Sequence, residues 1–377
     1  MTLFLRILTV LSVIAMLAAC AREAAAPSPV FHAQGYPEKL SDWGLMRVGN
    51  GLLTLSARAV PYDLATPLFS DYALKLRTVT LPEGESAIYD AENVFEFPVG
   101  TVISKTFYYP QPAAEWTGAV TYGSPTAIID GAMLMKGLRL IETRLLVRRA
   151  EGWVAIPYVW NEEQTDAVLA RIGAVKPMTL HRPDGRKEAF AYLVPNQTQC
   201  AGCHAINNTT RAINPIGPKA RHLNKGSSFN EGFNQLDWWM ASGMLSGVPK
   251  DSAHARNVSW TDESASIDAR ARAYLDANCS HCHSDVGPAD TSGLDLRPHV
   301  AMGPRFGWCK ATIAAGGGSG GRPFDIVPGE PDKSIFVYRM ETTKPGHMMP
   351  ELGRAVTHEE GVKLIADWIS AMDGTCA

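Results

Sequence analysis

The chain has 377 residues, of which 46% are hydrophobic and 19% charged, and its formal net charge is -3. A balance this close to neutral and slightly acidic argues against nucleic acid as a partner. With only 7 cysteines in the chain, their spacing carries more information than their number.

In chain order, Arg6 and the apolar run from Ile7 to Leu17 read as an export signal, too short for a comfortable membrane span. The run ends Leu17-Ala18-Ala19-Cys20, which resembles a bacterial lipoprotein signal. That resemblance implies removal of residues 1–19 and a lipid on Cys20; an ordinary cleaved signal peptide is the alternative. Ala21, where inner-membrane sorting would place Asp, favours the outer membrane by the same resemblance. Residues 20–35 read as a tether, disordered from Ala24 to Pro29. No later stretch is long and apolar enough to span a bilayer, so a soluble body facing the periplasm and held to the membrane by lipid is expected.

Residues 36–195 read as β. Leu74 to Leu81 and Thr101 to Tyr109 are strand-like, and Arg144–Arg149 and Trp153–Trp160 flank the short loop Ala150-Glu-Gly152, as in a hairpin. A second hairpin is signalled by Met178–His181, the turn Arg182-Pro-Asp-Gly185 and a return strand from Glu188. In that return strand Phe190, Tyr192 and Val194 share a face. Short strands separated by turn signals predict a sandwich-like all-β domain.

At Cys200-Ala-Gly-Cys203-His204 the pattern changes, and the pentapeptide recurs as Cys279-Ser-His-Cys282-His283. Cys-x-x-Cys-His is the spacing for covalent haem attachment: two thiols take the two porphyrin vinyl groups, and the histidine ligates the iron. Two covalently bound haem c groups are therefore expected. A four-thiolate zinc site does not need a histidine after each pair, and a thioredoxin-like pair expects a βαβ setting. Residues 196–262 form a first haem segment, polar loops followed by a short helix from Asn234 to Met244, too small for a core of its own. Residues 263–377 form a second. There Ile267, Ala271, Tyr274 and Leu275 lead at helical spacing into Cys279, and Thr357-His-Glu-Glu360 has the capping-box pattern. Behind it Val362, Ile365, Trp368, Ile369 and Met372 make an apolar stripe, closed by Asp373-Gly374. Gly316–Gly321 reads as a flexible insertion. Cys309 and Cys376 are left over and can pair in an oxidising compartment.

A helix closing on the haem motif and an amphipathic C-terminal helix resemble the frame of a class I cytochrome c. That resemblance makes Met349, in Met349-Pro350, the second axial ligand opposite His283, with Met348 and His347 as competitors. It also sets the loop Val327–Ser334 against the haem. For the iron on His204 the candidates are His222, Met240, Met244 and the more distant His254, or an open position. Further blocks are Pro67-Leu-Phe-Ser-Asp-Tyr-Ala-Leu-Lys75, Phe97-Pro-Val-Gly-Thr-Val-Ile-Ser-Lys-Thr-Phe107, Val159-Trp-Asn-Glu-Glu-Gln-Thr-Asp-Ala167, Val194-Pro-Asn-Gln-Thr-Gln-Cys200, Pro218-Lys-Ala-Arg-His-Leu-Asn224 and Asn234-Gln-Leu-Asp-Trp238. With these blocks the chain resembles, over nearly its whole mature length, a largely uncharacterised family of bacterial dihaem c-type cytochromes with a β-rich N-terminal region. The resemblance implies haem-binding roles for Cys200, Cys203, His204, Cys279, Cys282, His283 and Met349. The expected fold is multidomain, an all-β sandwich-like domain followed by α-helical cytochrome c-type haem segments. The expected function is electron transfer with a periplasmic redox protein. A peroxidase-like dihaem enzyme and a binding module with accessory haems are the alternatives.

Overall fold

The computed structural model describes residues 26–229, 232–249, 254–313 and 315–377. The signal segment and Cys20 lie outside the described residues.

A β-rich region spanning roughly residues 40–195, with several mainly antiparallel sheets, precedes a mixed helix and coil part. The strands in chain order are β1 (Met46–Gly49), β2 (Leu52–Leu55), β3 (Val60–Pro61), β4 (Leu74–Thr80), β5 (Ala87–Ile88), β6 (Val102–Pro110), β7 (Ala119–Thr121), β8 (Ile128–Ile129), β9 (Ala132–Leu134), β10 (Leu138–Arg149), β11 (Gly152–Trp160), β12 (Ala167–Leu169), β13 (Ala174–His181), β14 (Lys187–Val194) and β15 (Leu245–Ser246). A six-stranded sheet, ordered β12-β11-β10-β6-β4-β3, is central; beside it are a four-stranded sheet β1-β2-β9-β8, a three-stranded sheet β14-β13-β7 and a pair β15-β5. Both predicted hairpins are present, β10–β11 through Arg149↔Gly152 and β13–β14 through His181↔Lys187.

Because side chains alternate across a strand, each face of the six-stranded sheet has its own partners. One face presents Leu76, Val102, Tyr108 and Leu145 to Trp43, Leu45, Met46 and Leu53, which belong to β1, β2 and the turn before them. The opposite face has two apolar ends. At one, Val79 and Ile103 pack on Ala220, Leu223, Leu236 and Trp239; at the other, Ala73, Phe107, Tyr109 and Ile141 pack on Met178, Phe190, Tyr192, Val194 and Val356. Both ends thus recruit residues from beyond 195, and the β-rich region shares its cores with the part that follows.

The helices are α1 (Gln197–His204), α2 (Ala220–Leu223), α3 (Gln235–Ala241), α4 (Ile267–Asn278), α5 (Ile335–Glu341) and α6 (Glu359–Ser370). The first motif, expected among loops, lies on α1, whose N-terminus is closed by a reciprocal capping box of Asn196 and Gln199. The helix expected from Asn234 to Met244 stops at Ala241, with Asn234 as its N-cap. On α4, Ser266 accepts from Ala269 N–H, and Cys279 follows the last turn as expected. The capping box expected at Thr357 does not form. Thr357 Oγ1 donates to the Glu341 carbonyl at 2.7 Å, Glu360 accepts from the Tyr72 hydroxyl at 2.6 Å, and His358 becomes the N-cap. The stripe of α6 does form, with Leu364, Ile365, Trp368 and Ile369 in a core shared with Ala271, Tyr274, Leu275 and Phe306, although the helix ends at Ser370 rather than at Asp373. Cys309 and Cys376 are joined by a disulfide, Cα–Cα 5.2 Å.

Within the stretch expected to be a tether, Val30 N–H donates to the Trp43 carbonyl at 2.9 Å and the His32 ring meets Trp43 edge-on at 4.8 Å. The chain is therefore laid against the β-rich region from Val30 onward. Within Gly316–Gly321, expected to be a flexible insertion, Gly316–Ser319 forms a 3-10 turn with Gly318 against the Arg339 guanidinium. Among the described residues no helix is long and apolar enough to cross a membrane.

Asp71 ties the two halves together. It and Tyr72 adopt positive φ of 49° and 61°, an uncommon conformation for non-glycine residues, and Asp71 Oδ1 accepts from Ala355 N at 2.6 Å and Val356 N at 2.9 Å. Removing that oxygen strands two amides in the interior. Asp71→Ala is expected to cost about 2–4 kcal/mol in urea unfolding, and Asp71→Asn, which keeps an acceptor, distinctly less.

Candidate functional site

A cavity of about 440 Å³ opens between α4, α5 and the segment before α6. Cys279, Cys282, His283 and Met349 all line it, so residues spread over seventy positions converge on one space. Neither Met348 nor His347 lines it; the His347 ring pairs through Nδ1 with the Tyr338 hydroxyl at 2.9 Å. The Met349 loop is held by Arg354, which is 6% exposed and donates to the carbonyls of Met349 (3.0 Å), Arg339 (3.0 Å) and Thr342 (2.7 Å). The loop Val327–Ser334, expected against this space, contributes nothing to the wall. It packs instead on α6, where Gly329 N–H donates to the Ile369 carbonyl at 2.9 Å, leaving Asp325, Ile335 and Phe336 on the wall.

The two histidines are set alike. His204 Nδ1 lies 2.8 Å from the Asn214 carbonyl, which can only accept, so Nδ1 carries the proton. His283 Nδ1 lies 3.1 Å from Ser292 Oγ, whose own hydrogen goes to the Ala289 carbonyl at 2.7 Å, so here too Nδ1 donates. In both rings Nε2 is left with a bare lone pair, the arrangement a metal-ligating imidazole needs. Burial, aided by neighbouring cations, pushes both rings down to about 4, so they stay neutral at physiological pH. Burial also raises the thiols, Cys200 to about 11 and Cys279 and Cys282 to about 12.

The motifs abut. Cys203 and Gly202 of the first line the cavity of the second, and Cys282 Sγ lies 3.9 Å from the Gly202 carbonyl. Yet among the described residues no three His, Cys, Asp or Glu side chains converge as metal ligands, so the four thiols do not make the tetrahedral cluster of a structural zinc.

His204 and Cys200 do not line this cavity, and the four candidates for a second ligand to the iron on His204 lie elsewhere too. His222 is buried with Nε2 at 3.1 Å from Asp276 Oδ2 and Nδ1 enclosed without a partner. Burial works against ionising Asp276, but the hydrogen bond and charge of His222, with Lys219 and Arg221, outweigh it and hold the carboxyl well below its usual range. Met240 and Met244 pack in the cluster around Trp239, and His254 Nδ1 meets the Tyr89 hydroxyl at 3.1 Å.

Two residues on the cavity wall escape a reading by spacing. His281 sits between the two cysteines of the second motif, where it reads as filler; it is 9% exposed, and its buried Nδ1 has no partner. His358 stacks on Phe69 at 4.1 Å and pairs through Nδ1 with the Tyr274 hydroxyl at 2.9 Å. Only a fold joining residues 69, 274 and 358 reveals it.

No protein-family model, curated protein or solved structure matches this chain.

Burial, with the charges of Lys75 and Arg354, pushes His358 down to about 3. An ordinary histidine in the unfolded chain titrates near 6.5, so between these values the unfolded state binds more protons and stability rises with pH. His358→Leu is expected to flatten that rise by roughly 2–4 kcal/mol between pH 3 and 7, read from urea midpoints at several pH values. An unchanged slope would refute this role.

Proposed function

We propose that this chain is a dihaem c-type cytochrome that transfers electrons, exported and held by lipid on Cys20 at a bacterial membrane, the outer membrane favoured, facing the periplasm. The observation that carries this reading is the pair of histidines, each anchored through Nδ1 with Nε2 bare, in Cys-x-x-Cys-His motifs that touch each other.

The residues fit a covalently attached haem on two counts. The second motif faces a volume within the range of cofactor sites, with a thioether on its wall, and both imidazoles are neutral and singly engaged. When bound, such a group supplies a reversible one-electron ferric/ferrous couple. Cys200 and Cys203 would hold one group and Cys279 and Cys282 the other, with His204 and His283 as proximal ligands. Met349 would be the second ligand of the iron held by His283, and a histidine–methionine pair would raise the potential and leave no open position. Arg354 keeps the Met349 loop in place, and Asn214 and Ser292 orient the imidazoles. The β-rich region, read as sandwich-like, shares two cores with the part of the chain that carries the motifs and so acts as its scaffold, and a periplasmic redox protein is the expected partner. Carriage rather than turnover of a substrate is the main reading.

A second reading, a peroxidase-like oxidoreductase with the first iron open, is favoured by the engagement elsewhere of His222, His254, Met240 and Met244. A pyridine haemochrome assay on purified protein should return two c-type haems per chain, and one or none sinks both readings. Stoichiometric binding of carbon monoxide by the reduced protein, together with peroxide turnover, would select the enzyme over the relay.

A further inference from the structure

On the face of the six-stranded sheet that carries Phe107, cross-strand register places Arg77 opposite Lys105 and Lys105 opposite Arg144, with Lys75 opposite Phe107. Lys75 Nζ and Lys105 Nζ each lie 5.6 Å from the Phe107 ring centre and Arg144 Cζ lies 4.4 Å from it. Like charges directly opposite one another destabilise a sheet, and buried ones left unpaired cost far more.

Few anions answer them. A bulge at Leu140/Glu142 brings Glu142 opposite Phe107, and this fully buried carboxylate accepts from Arg144 Nε at 2.7 Å and Nη2 at 2.5 Å and from the Tyr192 hydroxyl at 2.7 Å. Asp63 feels Arg77 but faces Lys225 at 3.8 Å, and Asp71 gives Oδ1 to two backbone amides. Arg77 is 6% exposed, and among the described residues no carboxylate stands within salt-bridge distance of Arg77, Lys105 or Lys75. Lys75, Lys105 and Arg144 are only partly covered, so the row can be reached from outside although Arg77 is buried. Burial, then the charges of Arg77 and Arg144, pushes the Lys105 ammonium down to about 7, a penalty that a bound anion would relieve. The row lies within electrostatic reach of the first motif, where the charges of Lys105 and Arg144 act on Cys200, Cys203 and His204.

We infer that Arg77, Lys105 and Arg144, with Lys75, form an anion site beside the first motif that takes a carboxylate or small oxyanion. The ligand has two possible sources: a free oxyanion that approaches the first motif, or a propionate of the group attached there. The second source rests on the dihaem reading above.

The test uses the full-length haem-loaded protein and titrates sodium nitrite, sulfite and phosphate by calorimetry and against the Soret band. A free oxyanion predicts one site per chain, weakened at least tenfold in Lys105→Gln and in Arg77→Gln and restored in Lys105→Arg. A propionate predicts no titratable site; instead the propionate bending mode of one haem in resonance Raman shifts in Lys105→Gln and returns in Lys105→Arg. If neither signal appears, the inference falls, and Lys105→Gln should then raise stability by removing an unanswered repulsion. A haemochrome count on the same sample separates the two claims. Fewer than two haems per chain overturns the dihaem reading, and the inorganic-anion titration alone then decides the site.

Discussion

Under the proposed function, replacing Cys279 and Cys282 together by alanine is expected to lower the haem count from two to one and to unfold the part of the chain beyond residue 262. The second loss follows from the size of the space the motif faces. At the roughly 24 cal/mol per Å³ measured for voids in protein cores, a space of 440 Å³ would cost at most about 10 kcal/mol if it were closed and dry, and this one is partly open. Water admitted at the polar side lowers that figure but does not replace the packing lost by Leu275, Leu296, Phe336 and Met340, which all face the space. Limited proteolysis should therefore cut the double variant rapidly between α4 and α6, while β6, β10 and β11 keep their protection in hydrogen exchange. Cys200→Ala with Cys203→Ala should also remove one haem, yet leave the core of α4 and α6 standing. Equal resistance of both double variants to protease would show that the cavity needs no occupant.

Met349→Ala has the second largest expected effect. Among the residues sharing the cavity with His283, Met349 alone combines a thioether with a place on a loop fixed by an arginine clamp; Met340 also faces the space but lies within α5. Under the proposed function, its loss should abolish the near-infrared charge-transfer band of a methionine-ligated ferric haem. It should also lower one midpoint potential by on the order of 0.1 V or more, within the span of about 0.8 V that axial ligands control. Met348→Ala is the control and should leave both unchanged, because Met348 is absent from the cavity wall. A band that survives Met349→Ala but is lost in Met348→Ala would exchange their roles.

What was legible in the sequence had local causes. The β10–β11 and β13–β14 hairpins are specified by their own turns and alternation, and α4 by an apolar stripe that ends on Cys279. The convergence of Met349 on the second motif was expected only through a resemblance to known cytochromes. What stayed hidden depends on partners far away in the chain. Thr357 has the right neighbours for a capping box but bonds to Glu341, and Glu360 is drawn off by Tyr72. The cation row is invisible in sequence because Arg77, Lys105 and Arg144 lie on three different strands and become neighbours only when register is set. The division at residue 195 was drawn where the pattern changes, but the sheet face beyond it is completed by Leu223, Trp239 and Val356.

That shared face constrains how the protein is made. Cys200 is buried in the finished fold, and the other three motif thiols are only partly open. Under the proposed function, any catalyst that joins haem to Cys200 must act before that thiol is buried in the closing fold. Strands β1 to β14 precede residue 356 in the chain, so during synthesis their apolar face waits uncovered until the rest of the chain arrives. Maturation and closure then run as a race, and a substitution that merely hastened closure would lower haem content without touching a single ligand.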